Sequence, residues 1–297
     1  MKSLLALLLV AVASLAFAKD PVVVGSKIDT EGSVLGQIIL QTLSANDIEV
    51  VDRIQLGATN IVRQAIITGE IDIYPEYTGN GAFFFDQADS PVWKNAEAGY
   101  ERVAELDLAA NNVVWLSPAP ANNTWAMSVR ADLASANNLQ TMEDLARFIN
   151  DGGDFKFAAS AEFVESPAAL PAFQTEYGFE LTSDQLLVLS GGNTAATMRA
   201  AALATDGVNG AMTYGTDGGI AALGLVVLED TMGAQPVYLP APVVRAETLA
   251  AYPELPDLLA SVFAGLTKEV LQDLNSQVQV EGRPASEVAA QYLSSRP

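Results

Sequence analysis

The chain has 297 residues, half of them apolar, with 15 Lys and Arg against 36 Asp and Glu and a formal charge of −21. That is enough for one or two lobes of roughly 100–200 residues around a sizeable core, and the charge repels phosphate backbones, so no nucleic acid is expected among its partners. Cysteine and histidine are both absent, which excludes disulfides, lipid attachment through an N-terminal Cys, thiol catalysis, Ser-His-Asp and Cys-His arrangements and the HExxH zinc motif.

Met1 and Lys2 open a short positive segment, residues 4–15 are an apolar run, and Ala16-Phe17-Ala18 supplies a small-x-small cleavage pattern. The run is shorter than the roughly 20 residues that span a bilayer, so residues 1–18 read as a cleavable secretory signal peptide. A soluble, exported product, periplasmic and not a lipoprotein, is expected. Val22-Val23-Val24 then reads as a buried strand ended by Gly25-Ser26. A helix follows with Val34, Leu35, Ile38, Ile39 and Leu43 on one face. Residues 48–54 read as a second strand, Thr59 as the N-cap of a helix ending at Gly69, and residues 71–74 as a third strand that stops at Pro75. This β-α-β-α-β opening predicts a mostly parallel sheet covered by helices.

The pattern continues with a helix over 97–110 and strands over 113–116 and 125–129. A second unit follows: helix 142–149, strand 155–159, helix 167–177, strand 186–189, helix 194–204 and strand 210–214. Residues 225–228 and 237–244 read as strands, and the tail from Glu247 as helical. Two α/β units with a late return predict a two-lobed clamp with a small-ligand cleft between the lobes.

Three stretches carry a family resemblance. The first joins Gly25-Ser26-Lys27 to Leu56-Gly57-Ala58-Thr59 and to Gly69-Glu70-Ile71-Asp72-Ile73-Tyr74-Pro75-Glu76-Tyr77-Thr78-Gly79. The second runs from Trp115-Leu116-Ser117-Pro118 to Asn122-Asn123-Thr124-Trp125-Ala126. The third is Tyr214-Gly215-Thr216-Asp217-Gly218 followed by Gln235-Pro236-Val237-Tyr238-Leu239-Pro240. Over nearly all of the mature chain the sequence resembles the substrate-binding proteins of osmoprotectant ABC importers, the glycine betaine/choline type.

The resemblance implies a type II periplasmic-binding fold, two α/β lobes joined by crossover strands. The first lobe is then discontinuous, 19–122 and 238–297, and the second is 123–237. It also implies a box of aromatic rings around a quaternary ammonium group, here Tyr77, Trp125, Tyr214 and Tyr238, with Lys27 and Asn80 at positions that help bind the ligand's tail. Trp125 stands where the family usually has tyrosine, and Asn80 where threonine is more usual. The implied partners are a small quaternary ammonium solute and ABC permease subunits in the inner membrane. The protein itself is expected to be a monomer with no cofactor, no metal and no enzymatic activity.

The residue types suit that cargo. A trimethylammonium group has no N–H to donate, and its diffuse charge packs on ring faces at about 0.5–1 kcal/mol per exposed contact and about 2 kcal/mol when desolvated. One departure bears on the cargo's other end. The family's carboxylate-clamping arginine has no counterpart in Glu162-Phe163-Val164-Glu165-Ser166-Pro167. A serine cannot replace a bidentate guanidinium, so betaine is expected to bind weakly, or the ligand to lack a carboxylate, as choline does.

Plainer readings stand beside these. Lys27 reads equally as a ligand contact or a surface cation, and Tyr238 as a contact or a hinge-packing residue. Asp72 and Asp217 read as structural, Phe83-Phe84-Phe85 as a buried cluster, and Gly191-Gly192-Asn193-Thr194 as a helix cap. A sensory or scavenging binder not coupled to import is the alternative function. A hydrolase built on paired carboxylates has no supporting motif.

Overall fold

The computed structural model describes residues 19–189 and 194–296. Residues 1–18, read from the sequence as a signal peptide, and residues 191–193 of the expected helix cap lie outside the described residues.

Among the described residues ten strands form two sheets of five. In chain order they are β1 (Val22–Lys27), β2 (Val50–Gly57), β3 (Ile73–Tyr77), β4 (Val113–Trp115), β5 (Trp125–Arg130), β6 (Phe157–Ser160), β7 (Leu186–Leu189), β8 (Gly210–Tyr214), β9 (Leu225–Val227) and β10 (Pro240–Arg245). The first sheet has the order β2-β1-β3-β10-β4 and the second β7-β6-β8-β5-β9. Each holds three parallel strands, then one strand antiparallel to both of its neighbours. β10 returns from the far end of the chain into the first sheet.

The predicted helix face is real. Val34, Leu35, Ile38, Ile39 and Leu43 of the helix Thr30–Ala45 are all inaccessible to solvent and share a core with Leu259, Phe263, Leu271 and Val288. Each such side chain contributes about 1.5–3 kcal/mol on burial. The contact ties the C-terminal helices Leu255–Ala264, Lys268–Gln279 and Ala285–Ser294 to the first sheet.

Four local expectations differ from the structure. Ala58, not Thr59, occupies the N-cap of the helix Thr59–Thr68, while Gly69 closes it in the left-handed region as expected, at φ 79°. Pro75 lies inside β3 opposite Pro242 of β10. Leu116 N–H donates to the Pro242 carbonyl, so the proline pair sits where β3 and β10 exchange no amide bonds and neither missing donor is needed. The helix expected over 167–177 begins only at Leu170 and runs over Leu170–Tyr177, and a separate short helix, Ala161–Glu165, precedes it. Ser166, which precedes Pro167, is extended at ψ 124° because the ring excludes the helical region for its predecessor. Finally, the segments joining the sheets, 116–124 and 228–239, are irregular and not strands. They bond to each other: Asn123 N–H donates to the Tyr238 carbonyl at 3.0 Å and Tyr238 N–H to Asn122 Oδ1 at 2.8 Å.

Candidate functional site

The C-terminal ends of β1, β3 and β8, the start of β5 and the paired crossovers converge on one cavity of about 620 Å³. Strand ends and lobe junctions are where open α/β sheets place their ligands. Lys27, Tyr77, Asn80, Trp125, Tyr214 and Tyr238 all line it. The topology thus brings together all six residues singled out from the sequence.

The wall built on the first sheet is tightly bonded. Lys27 is buried, not a surface cation, and its ammonium donates to Glu76 Oε1 at 2.5 Å while lying 4.6 Å from the centre of the Tyr77 ring. Glu76 has no exposed surface and also accepts from the Tyr74 hydroxyl at 2.9 Å, the Tyr77 amide at 2.7 Å and Asn80 Nδ2 at 2.7 Å. The Tyr77 hydroxyl donates to Glu31 Oε1 at 2.8 Å. Glu31, in the first turn of Thr30–Ala45, also accepts from Asn123 Nδ2 at 3.1 Å and Asn275 Nδ2 at 2.7 Å. Burial pushes its carboxyl up from 4.5 to about 7, against the hydrogen bonds that pull it down. Burial, then the nearby Glu31 and Asp29 charges, raises the Tyr77 phenol well above its ordinary value. Asp29 caps the helix by accepting from Gly32 N–H at 2.7 Å and lines the cavity as well.

The opposite wall is built from stacked rings. Trp125 and Tyr214 are register partners on β5 and β8, with ring centroids 6.5 Å apart and planes at 26°. Phe163 meets Trp125 edge-on at 5.8 Å. Tyr238 closes the cavity from the crossover, its ring lying over Gly79, where an added Cβ would come within 2.7 Å of it. Tyr238 therefore joins crossover packing to a place in the wall, and burial pushes its phenol up to about 12. Asp217 accepts from Tyr214 N–H at 2.8 Å, the turn role expected of it, but it also lines the cavity and burial raises its carboxyl to about 6. Asp72 is structural as expected: it accepts from Val23 N–H, Thr248 and Arg245, away from the cavity.

The lining charges are lopsided. Asp29, Glu31, Glu162 and Asp217 face one cation, Lys27, which Glu76 already matches. Among the described residues no arginine lines the cavity; the 162–168 segment contributes Glu162 and Ala168, and Ser166 is not part of the wall. Among the described residues, buried Asn123 Oδ1, Thr124 Oγ1, Trp125 Nε1 and Asn275 Oδ1 find no hydrogen-bond partner, and all four residues line this cavity. Such atoms are costly unless something polar meets them.

Sequence reasoning did not single out Glu31, Thr124 or Asn275 as site residues, and it misread Phe83. That ring is 64 % exposed at the cavity mouth instead of buried, while Phe84 lies against the Arg63 guanidinium at 4.4 Å. The helix Gly81–Phe84 is a single turn, too short to turn three consecutive rings inward.

Residues 20–295 match the family described as the substrate binding domain of ABC-type glycine betaine transport systems. The chain belongs to that family. It is 56 % identical over 279 residues to the glycine betaine-binding protein YehZ of Escherichia coli K12, covering 94 % of this chain and 92 % of that one. The glycine-betaine-binding protein of Pseudomonas aeruginosa is 31 % identical, covering 91 % of this chain and 86 % of its own. Apo YehZ superposes with a TM-score of 0.88 over 93 % of this chain and 98 % of that one. The fold is that of type II periplasmic binding proteins, and the function is that of a substrate-binding protein of an ABC transporter.

Proposed function

We propose that the chain is the periplasmic substrate-binding component of an importer for quaternary ammonium solutes, and that Tyr77, Trp125, Tyr214 and Tyr238 enclose the onium group. The observation that carries this reading is the convergence of those four rings, from both sheets and a crossover, on one cavity whose other lining charges are mainly carboxylates. A diffuse cation that cannot donate a hydrogen bond suits such faces, at about 2 kcal/mol per desolvated contact. The lobes that close on it are 19–122 with 238–297, and 123–237; the crossovers between them act as the hinge, and the closed form docks on the inner-membrane permease. No chemical step is involved and the protein acts as a monomer. Among the described residues no helix is long and apolar enough to cross a membrane, in keeping with a protein released after removal of residues 1–18.

Choline is the preferred cargo over betaine in this reading. The ammonium of Lys27 is held by Glu76, and a betaine carboxylate would enter a cavity lined by four acids. A thermal-shift panel of choline, betaine, carnitine, ectoine and proline betaine, followed by calorimetry, tests it. A ligand at 100 times its Kd adds about 2.7 kcal/mol of stability; choline should give the largest shift and betaine a smaller one. Submicromolar betaine with no measurable choline reverses the preference, and a panel in which no onium compound shifts the protein refutes the reading.

A further inference from the structure

Glu31 is 5 % exposed and sits where β3, a crossover and a C-terminal helix meet at the site. It holds the hydroxyl of Tyr77 from β3, the amide of Asn123 from a crossover and the amide of Asn275 from the helix Lys268–Gln279. Asn275 in turn donates to the Thr216 carbonyl at 2.8 Å, in the turn that carries Tyr214 and Asp217. We propose that Glu31 is a specificity-determining residue: its carboxylate, facing the cavity and bonded to the Tyr77 phenol, makes the site select a ligand of net positive charge over a zwitterion.

Two physical effects act in the same direction. Through space, a negative charge in a dry cavity attracts an onium ion, but its pull on a zwitterion is largely cancelled by repulsion of the ligand's own carboxylate. Through the hydrogen bond, a phenol that donates to an ionised acceptor gains electron density in its ring, and the face it offers the cation becomes more negative. Protonating Glu31 removes both effects. Burial holds its carboxyl at about 7, so the charge changes within the neutral range. The groups around it are Asp29 from the preceding loop and Tyr77 from β3, with Lys27 of β1 and Glu162 and Asp217 also on the cavity wall. The crossover and the Lys268–Gln279 helix present the neutral amides of Asn123 and Asn275. Asp217, raised to about 6, titrates in a lower window.

The proposal rests on the quaternary ammonium reading, and the experiment separates the two. Calorimetric Kd values for choline and betaine are measured on wild type and on Glu31→Gln near pH 8. Choline should weaken by about tenfold or more in the variant and betaine by less than about threefold. An equal factor for both ligands, the signature of a merely structural role, overturns the proposal, as does no change in either. Wild type gives a second readout that needs no folded variant: the choline-to-betaine affinity ratio should rise between about pH 5.5 and about pH 8.5 with a midpoint near that of Glu31, since neither ligand titrates there. Asp217→Asn should keep the upper inflection. A flat wild-type ratio also overturns it while leaving the underlying reading intact, whereas failure of every onium compound to bind wild type sinks the underlying reading and this proposal with it.

Discussion

The two walls of the cavity share a sheet plan but not a construction. On the first-sheet side the three residues singled out from the sequence are each held by a hydrogen bond or ion pair: Lys27 and Asn80 by Glu76, Tyr77 by Glu31. On the second-sheet side Trp125, Tyr214 and Phe163 hold one another by ring contacts, and among the described residues the Trp125 indole N–H finds no partner. Polar bonds in a dry site fix atoms to within tenths of an ångström but are costly when broken. Ring stacking is nondirectional by comparison and tolerates adjustment. If the proposed site holds the cargo, the first wall would then be the rigid template and the second the surface that adapts to it.

The contrast is sharpened first by stability. Lys27→Met leaves the Glu76 carboxylate buried without its cation, and loss of one partner of a buried pair costs about 3–5 kcal/mol. Urea unfolding should show that loss, and Lys27→Met combined with Glu76→Gln should recover most of it. A single variant within about 0.5 kcal/mol of wild type would mean that the first wall is not rigidly wired.

Next in size is the pH dependence of Glu31→Gln. The folded carboxyl lies near 7 against 4.5 for the unfolded chain, so between those values the native state binds more protons and wild-type stability falls as pH rises. Below the unfolded value both states are protonated and no cost is felt; above about 7 the full cost, on the order of 3 kcal/mol, is present. The ligand-free variant should therefore gain on wild type progressively across that window and no further above it, as read from thermal midpoints at several pH values. A constant offset across the window would place the carboxyl at its ordinary value.

The smallest effect expected is on the adaptable wall. Trp125→Ala removes one desolvated ring contact of about 2 kcal/mol, close to thirtyfold in choline affinity, and the remaining fold should stay intact because the indole anchors no polar network. Wild-type choline binding by this variant would show that the onium group sits elsewhere.

Much of this molecule was readable along the chain. The 3.6-residue repeat in 34–43, the alternation of strands and helices and the return strand near 240 are local patterns, and the structure carries each of them. The six proposed ligand contacts came from the family resemblance, and they meet in one cavity because strand ends of both sheets and a crossover converge there. Errors fell where local rules are overruled. Pro75 is tolerated in a strand because it sits where β3 and β10 exchange no amide bonds, and Phe83 stays exposed because a one-turn helix cannot bury it.

By itself the sequence determined the charge, the absence of His and Cys chemistry, the order of the elements and the supply of aromatic rings. Each of these is a property of single residues or near neighbours. Only the tertiary structure decided that Glu31 lies beside residues 46, 92 and 244 positions away, that Lys27 is matched by Glu76, and that four polar atoms at the cavity find no partner among the described residues. Desolvation and pairing depend on which distant segments close over a group, and no local pattern of residue types encodes that.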